Sequence, residues 1–280
     1  MDFCAPLDLP YYAPINSLPG PLPTFGEIVD STRVLGTNVF RRTVRVGKHY
    51  VAKFGTGVKA LEGQNMLFVK QQTNIRIPDI YAIYTLGEGD AAVTVIIMEF
   101  IPGEPLDNIF YRLKDEEKHS LRKMLREQID ELRRIEPMAE DCIYYGSLAT
   151  LPFSERVWDH SVGPFTDASA MVEAYFDHIF GRRHSQPFID LKAEYLKAFG
   201  AADPRNLQPV FSHADLCPRN IIVQPDGSPC LIDWELSAWY PAFYEYFNSR
   251  PLNSELDFLE KFVQLEQVHE RIRETWLEAE

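Results

Sequence analysis

The sequence changes character near residue 100, and this change restricts the possible folds more than any other feature. Two segments before it, 33–54 and Val93–Phe100, are rich in β-branched and aromatic residues, which favour strands. Beyond it, apolar residues recur at helical spacing in the segments 115–135, 168–180, 188–199 and 254–278. We therefore expect an α+β protein with a small β-rich N-terminal lobe and a larger, mainly helical C-terminal lobe.

The same patterns divide the chain into three parts. Residues 1–25 contain six prolines, which exclude a regular helix and predict an extended arm, either packed on the body or loose. Residues 26–101 are expected to form the N-terminal lobe, with a helix over 58–72. Residues 102–280 are expected to form the C-terminal lobe. The joint is placed at Glu99–Gly103, where a proline and a glycine end the β-rich run.

Composition excludes several classes of protein. The 280 residues are 45% hydrophobic, which is enough for a large core and is not typical of a disordered chain. The net charge of −13 disfavours nucleic acid or an anionic membrane as a partner; it fits a small cationic or neutral molecule, or serves solubility alone. The four cysteines lack CxxC spacing and are expected to be free thiols. Without a long apolar run or a secretory signal, a cytoplasmic protein is expected.

A short hairpin carries the residues with the clearest chemistry. Ile221–Gln224 and Pro229–Asp233 are predicted strands, joined by a Pro-Asp-Gly turn. If the loop has two residues, Asn220 lies directly opposite Asp233, and a longer loop shifts this pairing by one residue. An amide oxygen beside a carboxylate suits Mg²⁺. Asp215 lies only five residues before Asn220, so its carboxylate could interact with a nucleophile near such an ion. Phosphoryl transfer requires such a set of residues.

A resemblance makes this chemistry more specific. The segment His213-Ala-Asp-Leu-Cys-Pro-Arg-Asn220 resembles the HxDLxxxN motif of aminoglycoside phosphotransferases and choline kinases. The later Asp233-Trp-Glu235 is most similar to the fungal branch of that family. The resemblance implies a two-lobed, protein-kinase-like fold and assigns four roles: Asp215 as catalytic base, His213 as brace of the loop, and Asn220 and Asp233 as magnesium ligands.

The resemblance also implies an ATP site in the N-terminal lobe. Tyr50–Phe54 is similar to the kinase strand whose lysine, here Lys53, meets the α- and β-phosphates. Val51 lies on the same face of that strand and is expected to pack on adenine. The other implied contacts are Glu62, which orients Lys53, Gly36 in the loop over the phosphates, and the backbone of Glu99 and Ile101 against adenine.

Other nucleotide-binding patterns are missing from the sequence. The lack of GxxxxGK[ST] excludes a P-loop, and the lack of HRD, DFG and APE disfavours a protein kinase. Two positions stay open. Cys217 stands where protein kinases usually carry lysine. Glu235 has three candidate roles, as an aid to the metal, as a site for a cationic substrate, or as a structural hydrogen-bond acceptor.

We therefore predict an ATP- and Mg²⁺-dependent phosphotransferase that acts on a hydroxyl of a small, aminoglycoside-, choline- or metabolite-like molecule. Two alternatives remain: a kinase-fold protein that binds nucleotide or ligand without transfer, and a kinase fold diverted to other biosynthetic chemistry. The oligomeric state is open. Residues that could line an amine-binding cleft through carboxylate and cation–π contacts are Trp158, Asp159, Phe165, Tyr175, Trp239 and Tyr244.

Overall fold

The computed structural model describes residues 7–137, 145–148, 162–180, 186–200 and 207–249. The chain divides into two compact units, one from Met1–Met124 and Pro218–Glu235 and the other from Leu125–Cys217 and Leu236–Glu280. The lobe boundary near residue 101 stays a prediction. The helix predicted over 254–278 lies outside the described residues.

The described part of the first unit is built on a six-stranded antiparallel sheet. Its strands are β1 (Tyr11–Tyr12), β2 (Val34–Thr37), β3 (Arg42–Val46), β4 (Tyr50–Gly55), β5 (Ile80–Leu86) and β6 (Val93–Glu99). Their order in the sheet is β1-β5-β6-β4-β3-β2. The β structure predicted over 33–54 and 93–100 is confirmed. β5 is absent from the sequence-based prediction, because periodicity alone does not separate a short apolar strand from a buried helical turn.

The described part of the proline-rich arm, residues 7–25, packs on this sheet. Tyr11 and Tyr12 pair with Ile83 and Ala82, so β1 covers an edge of β5 that would otherwise expose unpaired backbone groups. Further along, the Tyr50 hydroxyl donates to the carbonyl of Gly20 at 2.5 Å. The arm then enters the short helix α1 (Phe25–Val29), which begins with a capping box formed by Thr24 and Glu27. Of the two arrangements expected from the sequence, the packed one is observed.

The helix α2 (Ala60–Gln72) covers one face of the sheet. Its Gly63 lies so close to the strands that an added Cβ would be 2.4 Å from Ile83 Cδ1 and 3.7 Å from Ile96 Cγ2. The opposite face holds a separate core around Tyr50, Ala82 and other buried side chains. Because neighbouring strand residues alternate between faces, Ile83 meets the helix while Ala82 meets the other core.

A second sheet in the first unit has the order β10-β9-β7, with β7 at Glu104–Pro105, β9 at Ile221–Val223 and β10 at Pro229–Leu231. The predicted opposition of Asn220 and Asp233 is wrong by one residue. Leu231 pairs with Ile221, and the N–H of Ile232 donates to the carbonyl of Asn220 at 3.0 Å. The loop has three residues rather than two, because Gly227 adopts a φ of 82° and extends the turn.

The described part of the second unit combines helices with a two-stranded ladder. The helices are the C-terminal part of α4 (Asp115–Leu132) and the paired helices α5 (Ala168–Phe180) and α6 (Gln186–Gly200). These three helices confirm the helical predictions over 115–135, 168–180 and 188–199. The strands β8 (Pro209–Ser212) and β11 (Ala238–Pro241) pair antiparallel, and α7 (Tyr244–Ser249) follows. The short helix α3 (Leu106–Ile109) belongs to the first unit.

Among the described residues, no helix combines the length and the apolar composition that crossing a bilayer requires.

Candidate active site

Lys53 lies at the centre of a buried charge cluster in the first unit. Its side chain points from β4, is only 7% exposed, and places Nζ 2.7 Å from Glu62 Oε2 and 2.9 Å from Asp233 Oδ1. Glu62 projects from α2, the helix that Gly63 allows close to the sheet. The structure therefore brings together a strand lysine, a helix glutamate and the aspartate that follows the β9–β10 hairpin.

The cluster keeps the lysine charged. Burial by itself would lower the pKa of Lys53, but the nearby carboxylates of Glu62 and Asp233 outweigh it, so the pKa is raised above its usual value. Burial raises the pKa of Glu62, and the ammonium of Lys53 opposes this change. At neutral pH, Lys53 is thus an ammonium group in a largely dry setting, where it can interact strongly with an anion.

The carboxylates around Lys53 form a donor set suited to a hard cation. Single oxygen atoms of Glu62, Asp233 and Glu235 all lie within 4.8 Å of one another. Oxygen donors of this kind are the ligands that Mg²⁺ prefers. Asp233 has a φ of 66°, a conformation that aspartate tolerates better than most residues. Asn220 is buried in a turn of 3-10 helix, Pro218–Asn220, and is joined through its carbonyl to the residue before Asp233.

Glu235 has a partner that sequence reasoning missed. Nη1 of Arg41 donates to both carboxylate oxygens of Glu235 at 2.9 Å, and Lys53 Nζ lies 3.6 Å from Glu235 Oε2. Of the three candidate roles for Glu235, hydrogen-bond acceptance is thus observed. No local signal could have found the pair, because Arg41 and Glu235 are separated by 194 residues.

The loop between β2 and β3 is held by backbone contacts. Asn38 Oδ1 accepts from the N–H groups of Phe40 and Arg41, both at 2.9 Å. The carbonyl of Phe40 accepts from the N–H of Gly57 at 2.9 Å, and a Cβ on Gly55 would lie only 2.1 Å from that oxygen. Gly55, the last residue of the lysine strand, and Gly57, two residues later, therefore let the loop approach β4 closely. Their spacing after Lys53 is a signal that sequence reasoning could have used.

The residues expected near adenine and the phosphates have distinct environments. Val51 and Ile101 are buried, and the backbone N–H of Ile101 has no hydrogen-bond partner in the part of the chain that is described. Glu99 donates its N–H to Asp79 O and binds Arg76 through both carboxylate oxygens, at 2.7 and 2.8 Å. Gly36 lies in the exposed edge strand β2, where an added Cβ would meet no atom within 4 Å. Neither its φ nor its surroundings require glycine there.

In the second unit, His213 and Asp215 lie just after β8. His213 is fully buried, and its Nδ1 accepts from the backbone N–H of Asp215 at 3.2 Å. Between them, Ala214 has a φ of 64°, and its N–H donates to both carboxylate oxygens of Glu245 at 3.1 Å. Glu245, on α7, is a second long-range contact that the sequence did not indicate.

Two of the residues proposed to line an amine-binding cleft belong instead to the core of the second unit. Trp239 is 1% exposed and packs edge-on against Phe211, with ring centroids 4.9 Å apart. Tyr244 is 3% exposed and stacks on Tyr240 at 4.0 Å. The cleft prediction is wrong for these two residues, because their rings pack against other aromatic rings in the core. Phe165 pairs through its backbone with Tyr145; Trp158, Asp159 and the side chain of Tyr175 lie outside the described residues.

Comparison with known proteins decides the family. The model of the phosphotransferase enzyme family matches residues 33–273, most of the chain. The chain belongs to this family. The family resemblance seen in the His213–Asn220 motif is thereby confirmed. No protein among those with curated descriptions matches this phosphotransferase family member significantly.

Solved structures confirm the predicted α+β, kinase-like fold of this phosphotransferase family member. A thermostable mutant of aminoglycoside phosphotransferase APH(4)-Ia, in a ternary complex with ADP and hygromycin B, has a TM-score of 0.58, 15% identity, and coverage of 89% of this chain and 81% of that one. The apo form of such a mutant has a TM-score of 0.55 at 17% identity, covering 86% and 78%. The GDP and kanamycin complex of an APH(2") enzyme has a TM-score of 0.55 at 15% identity, and the match covers 88% of this chain and 84% of that one.

Proposed function

We propose that the protein transfers the γ-phosphate of ATP to a hydroxyl group of a small molecule, with magnesium as cofactor. The observation that carries this proposal is the buried Lys53, held between Glu62 and Asp233 at 2.7 and 2.9 Å. A buried ammonium ion with two carboxylates is costly unless the site has a use for the charge. In a member of a phosphotransferase family, that use is contact with nucleotide phosphates.

The nucleotide is proposed to bind to the first unit. Lys53 would bind the α- and β-phosphates, and Glu62 would orient its ammonium group. Gly36 lies in β2, the strand that leads into the loop proposed to cover the phosphates. Adenine would pack on Val51 and accept a hydrogen bond from the N–H of Ile101, with the backbone of Glu99 beside it. Support comes from the backbone N–H of Ile101, which has no hydrogen-bond partner within the described residues although the residue as a whole is buried.

Asn220 and Asp233 would hold Mg²⁺, which when bound neutralises charge on the transferring phosphate. The carboxylate set around Lys53 fits such an ion in donor type. Asp215 would orient the acceptor hydroxyl and take its proton, and His213, through its contact with the N–H of Asp215, would brace that loop. This division of labour needs no covalent bond between protein and phosphate, because positioning and charge supply most of the catalysis.

The acceptor is proposed to be a small alcohol, with aminoglycoside-, choline- and metabolite-like molecules all in scope. Two of the structures with a similar fold were solved with hygromycin B and with kanamycin. An acidic protein with a net charge of −13 would favour a cationic acceptor over an anionic one through its long-range field.

ADP release over a panel of aminoglycosides, amino alcohols and sugars with Mg-ATP tests this function. With an acceptor in hand, Asp215→Asn should lower kcat by roughly 10²- to 10⁴-fold while leaving ATP affinity unchanged. Asp233→Ala should weaken ATP binding in the presence of magnesium. Asp226→Asn, in the exposed turn of the same hairpin, is the matched control and should behave as wild type.

Normal turnover by Asp215→Asn would exclude Asp215 as the base. Tight nucleotide binding without ADP release over the whole panel would favour the non-transferring alternative. Tight pocket binding of other ligands, with no transfer from any nucleotide, would favour a fold diverted to other chemistry.

A further inference from the structure

Arg41 ends the loop between β2 and β3, and its backbone is held from two sides. Its N–H donates to Asn38 Oδ1 at 2.9 Å, and its carbonyl accepts from the N–H of Asn38 at 2.8 Å. Gly55 allows the loop to lie this close to β4, since an added Cβ there would be 2.8 Å from the Cα of Arg41. The Arg41 side chain therefore starts from a fixed place beside β4.

The strand register directs this side chain toward Lys53. Thr43 lies opposite Lys53 in the ladder of β3 and β4. Two residues further along both strands, the same register brings Arg41 opposite Gly55. Opposed residues and second neighbours project from the same face of a sheet, so Arg41 shares the face of Lys53. Arg41 Nη1 and Lys53 Nζ lie 2.9 and 3.6 Å from the same oxygen, Glu235 Oε2.

Glu235 uses only one nitrogen of the Arg41 guanidinium. Nη1 contacts both carboxylate oxygens at 2.9 Å, whereas a paired contact would use two nitrogens. Nε and Nη2 have no hydrogen-bond partner among the residues that the structure describes, and neither atom is buried. The side chain is 23% exposed, against 7% for Lys53. Arg41 thus presents one edge of its fork, Nε and Nη2, to an incoming anion.

The order of positions along β4 indicates which part of a nucleotide this edge would meet. In the proposed site, adenine packs on Val51 and Lys53 meets the α- and β-phosphates, so the nucleotide runs along β4 toward Gly55. Strand residues advance by about 3.3 Å each, which puts Gly55 and the opposed Arg41 roughly 7 Å beyond Lys53. Arg41 therefore lies toward the terminal phosphate and away from adenine.

We infer that Arg41 is a second phosphate-binding residue, which contacts the γ-phosphate of ATP through Nε and Nη2 while Glu235 holds Nη1. Arginine suits this task because its planar fork offers two parallel N–H groups to one phosphate. Glu235 is then the positioning residue that directs the fork. The inference rests on the proposed function for the identity of the anion. Binding measurements separate the two, because they need no acceptor and no turnover.

Two substitutions at Arg41 and one matched control test the inference. Arg41→Gln removes the guanidinium, and Arg41→Lys keeps a cation beside Glu235 without the fork. The control is Arg42→Gln, because Arg42 projects from the other face and donates to the carbonyls of Val29 and Ser31 at 3.0 and 2.9 Å. Calorimetric titration of each protein uses three ligands: adenosine, Mg-ADP and the magnesium complex of a non-hydrolysable ATP analogue.

The loss of affinity should depend on the number of phosphates. Arg41→Gln should weaken binding of the ATP analogue by roughly 10- to 100-fold, as the loss of a hydrogen bond to a charged group does, and binding of Mg-ADP by less than about threefold. Adenosine should bind as it does to wild type. Arg41→Lys should show a smaller loss for the ATP analogue, and Arg42→Gln should bind all three ligands normally.

Wild-type affinity of Arg41→Gln for the ATP analogue would overturn the inference. So would an equal loss for adenosine and the ATP analogue, which indicates a structural role, or an equal loss for ADP and the analogue, which excludes the γ-phosphate. If Arg41→Gln does not fold, Arg41→Lys must show the same selective loss or the inference fails. A wild type that shows this pattern but transfers phosphate to no acceptor contradicts only the proposed function; one that binds no nucleotide contradicts both.

Discussion

Replacing Gly63 with alanine tests the close approach of α2 to the sheet, on which the position of Glu62 depends. The new Cβ would lie 2.4 Å from Ile83 Cδ1, 3.0 Å from Ile83 Cγ1 and 3.7 Å from Ile96 Cγ2. Ordinary contacts between carbon atoms are about 3.5–4.0 Å, so the first of these is too short by more than about 1 Å. Ile83 and Ile96 are fully buried.

Two opposing terms set the size of the effect. Alanine is favoured over glycine inside a helix by about 1 kcal/mol, and overpacking a tight core costs about 1–3 kcal/mol. We expect the cost of overpacking to exceed the gain in helix propensity, so that the free energy of unfolding falls by about 1 kcal/mol. Because the displaced helix carries Glu62, the affinity for ATP should fall as well.

Urea denaturation measures the stability term, with two variants that sharpen the result. Gly26→Ala in α1 is the control, since its Cβ would meet only Thr24 Oγ1 at 4.0 Å; we expect little change or a small gain in stability. Ile83→Val removes the offending Cδ1, so the double variant Gly63→Ala/Ile83→Val should be more stable than the sum of the two single effects predicts. A Gly63→Ala protein as stable as wild type, with strictly additive effects, would refute this packing argument.

Further predictions concern the charge cluster, the buried thiol and the N-terminal arm. Arg41→Gln and Glu235→Gln each remove one partner of the Arg41–Glu235 ion pair and should each lower the free energy of unfolding by about 1.5–3 kcal/mol. In urea denaturation, the double variant should lose less stability than the sum of the two single losses. Burial raises the pKa of the Cys230 thiol from its usual value of 9.0 to about 12. Between these two pH values the thiol loses its proton on unfolding, so the free energy of unfolding falls as the pH rises. The Cys230→Ser variant lacks this thiol, and its stability should fall less steeply above pH 9.0. Tyr50→Phe removes the hydrogen bond to the arm and should speed proteolysis there without changing ATP affinity.

Strong local signals predicted the elements well. Helices α2, α4, α5 and α6 begin and end within three residues of the ranges expected from apolar spacing. The hairpin was predicted in kind but not in register, because the conformation of Gly227 decides between a loop of two residues and one of three. A shift of one residue moved the partner of Asn220 from Asp233 to Ile232.

The sequence by itself determined the family and the residues that carry its motif, since these depend on residue types at short spacing. It also supplied the grouping of Lys53 with Glu62, through the resemblance. Only the tertiary structure decided that Arg41 binds Glu235, that Glu245 binds the backbone beside Asp215, and that Trp239 and Tyr244 are core residues. These contacts join residues that are far apart in the chain or depend on burial, so no local pattern encodes them and only packing of the folded chain creates them.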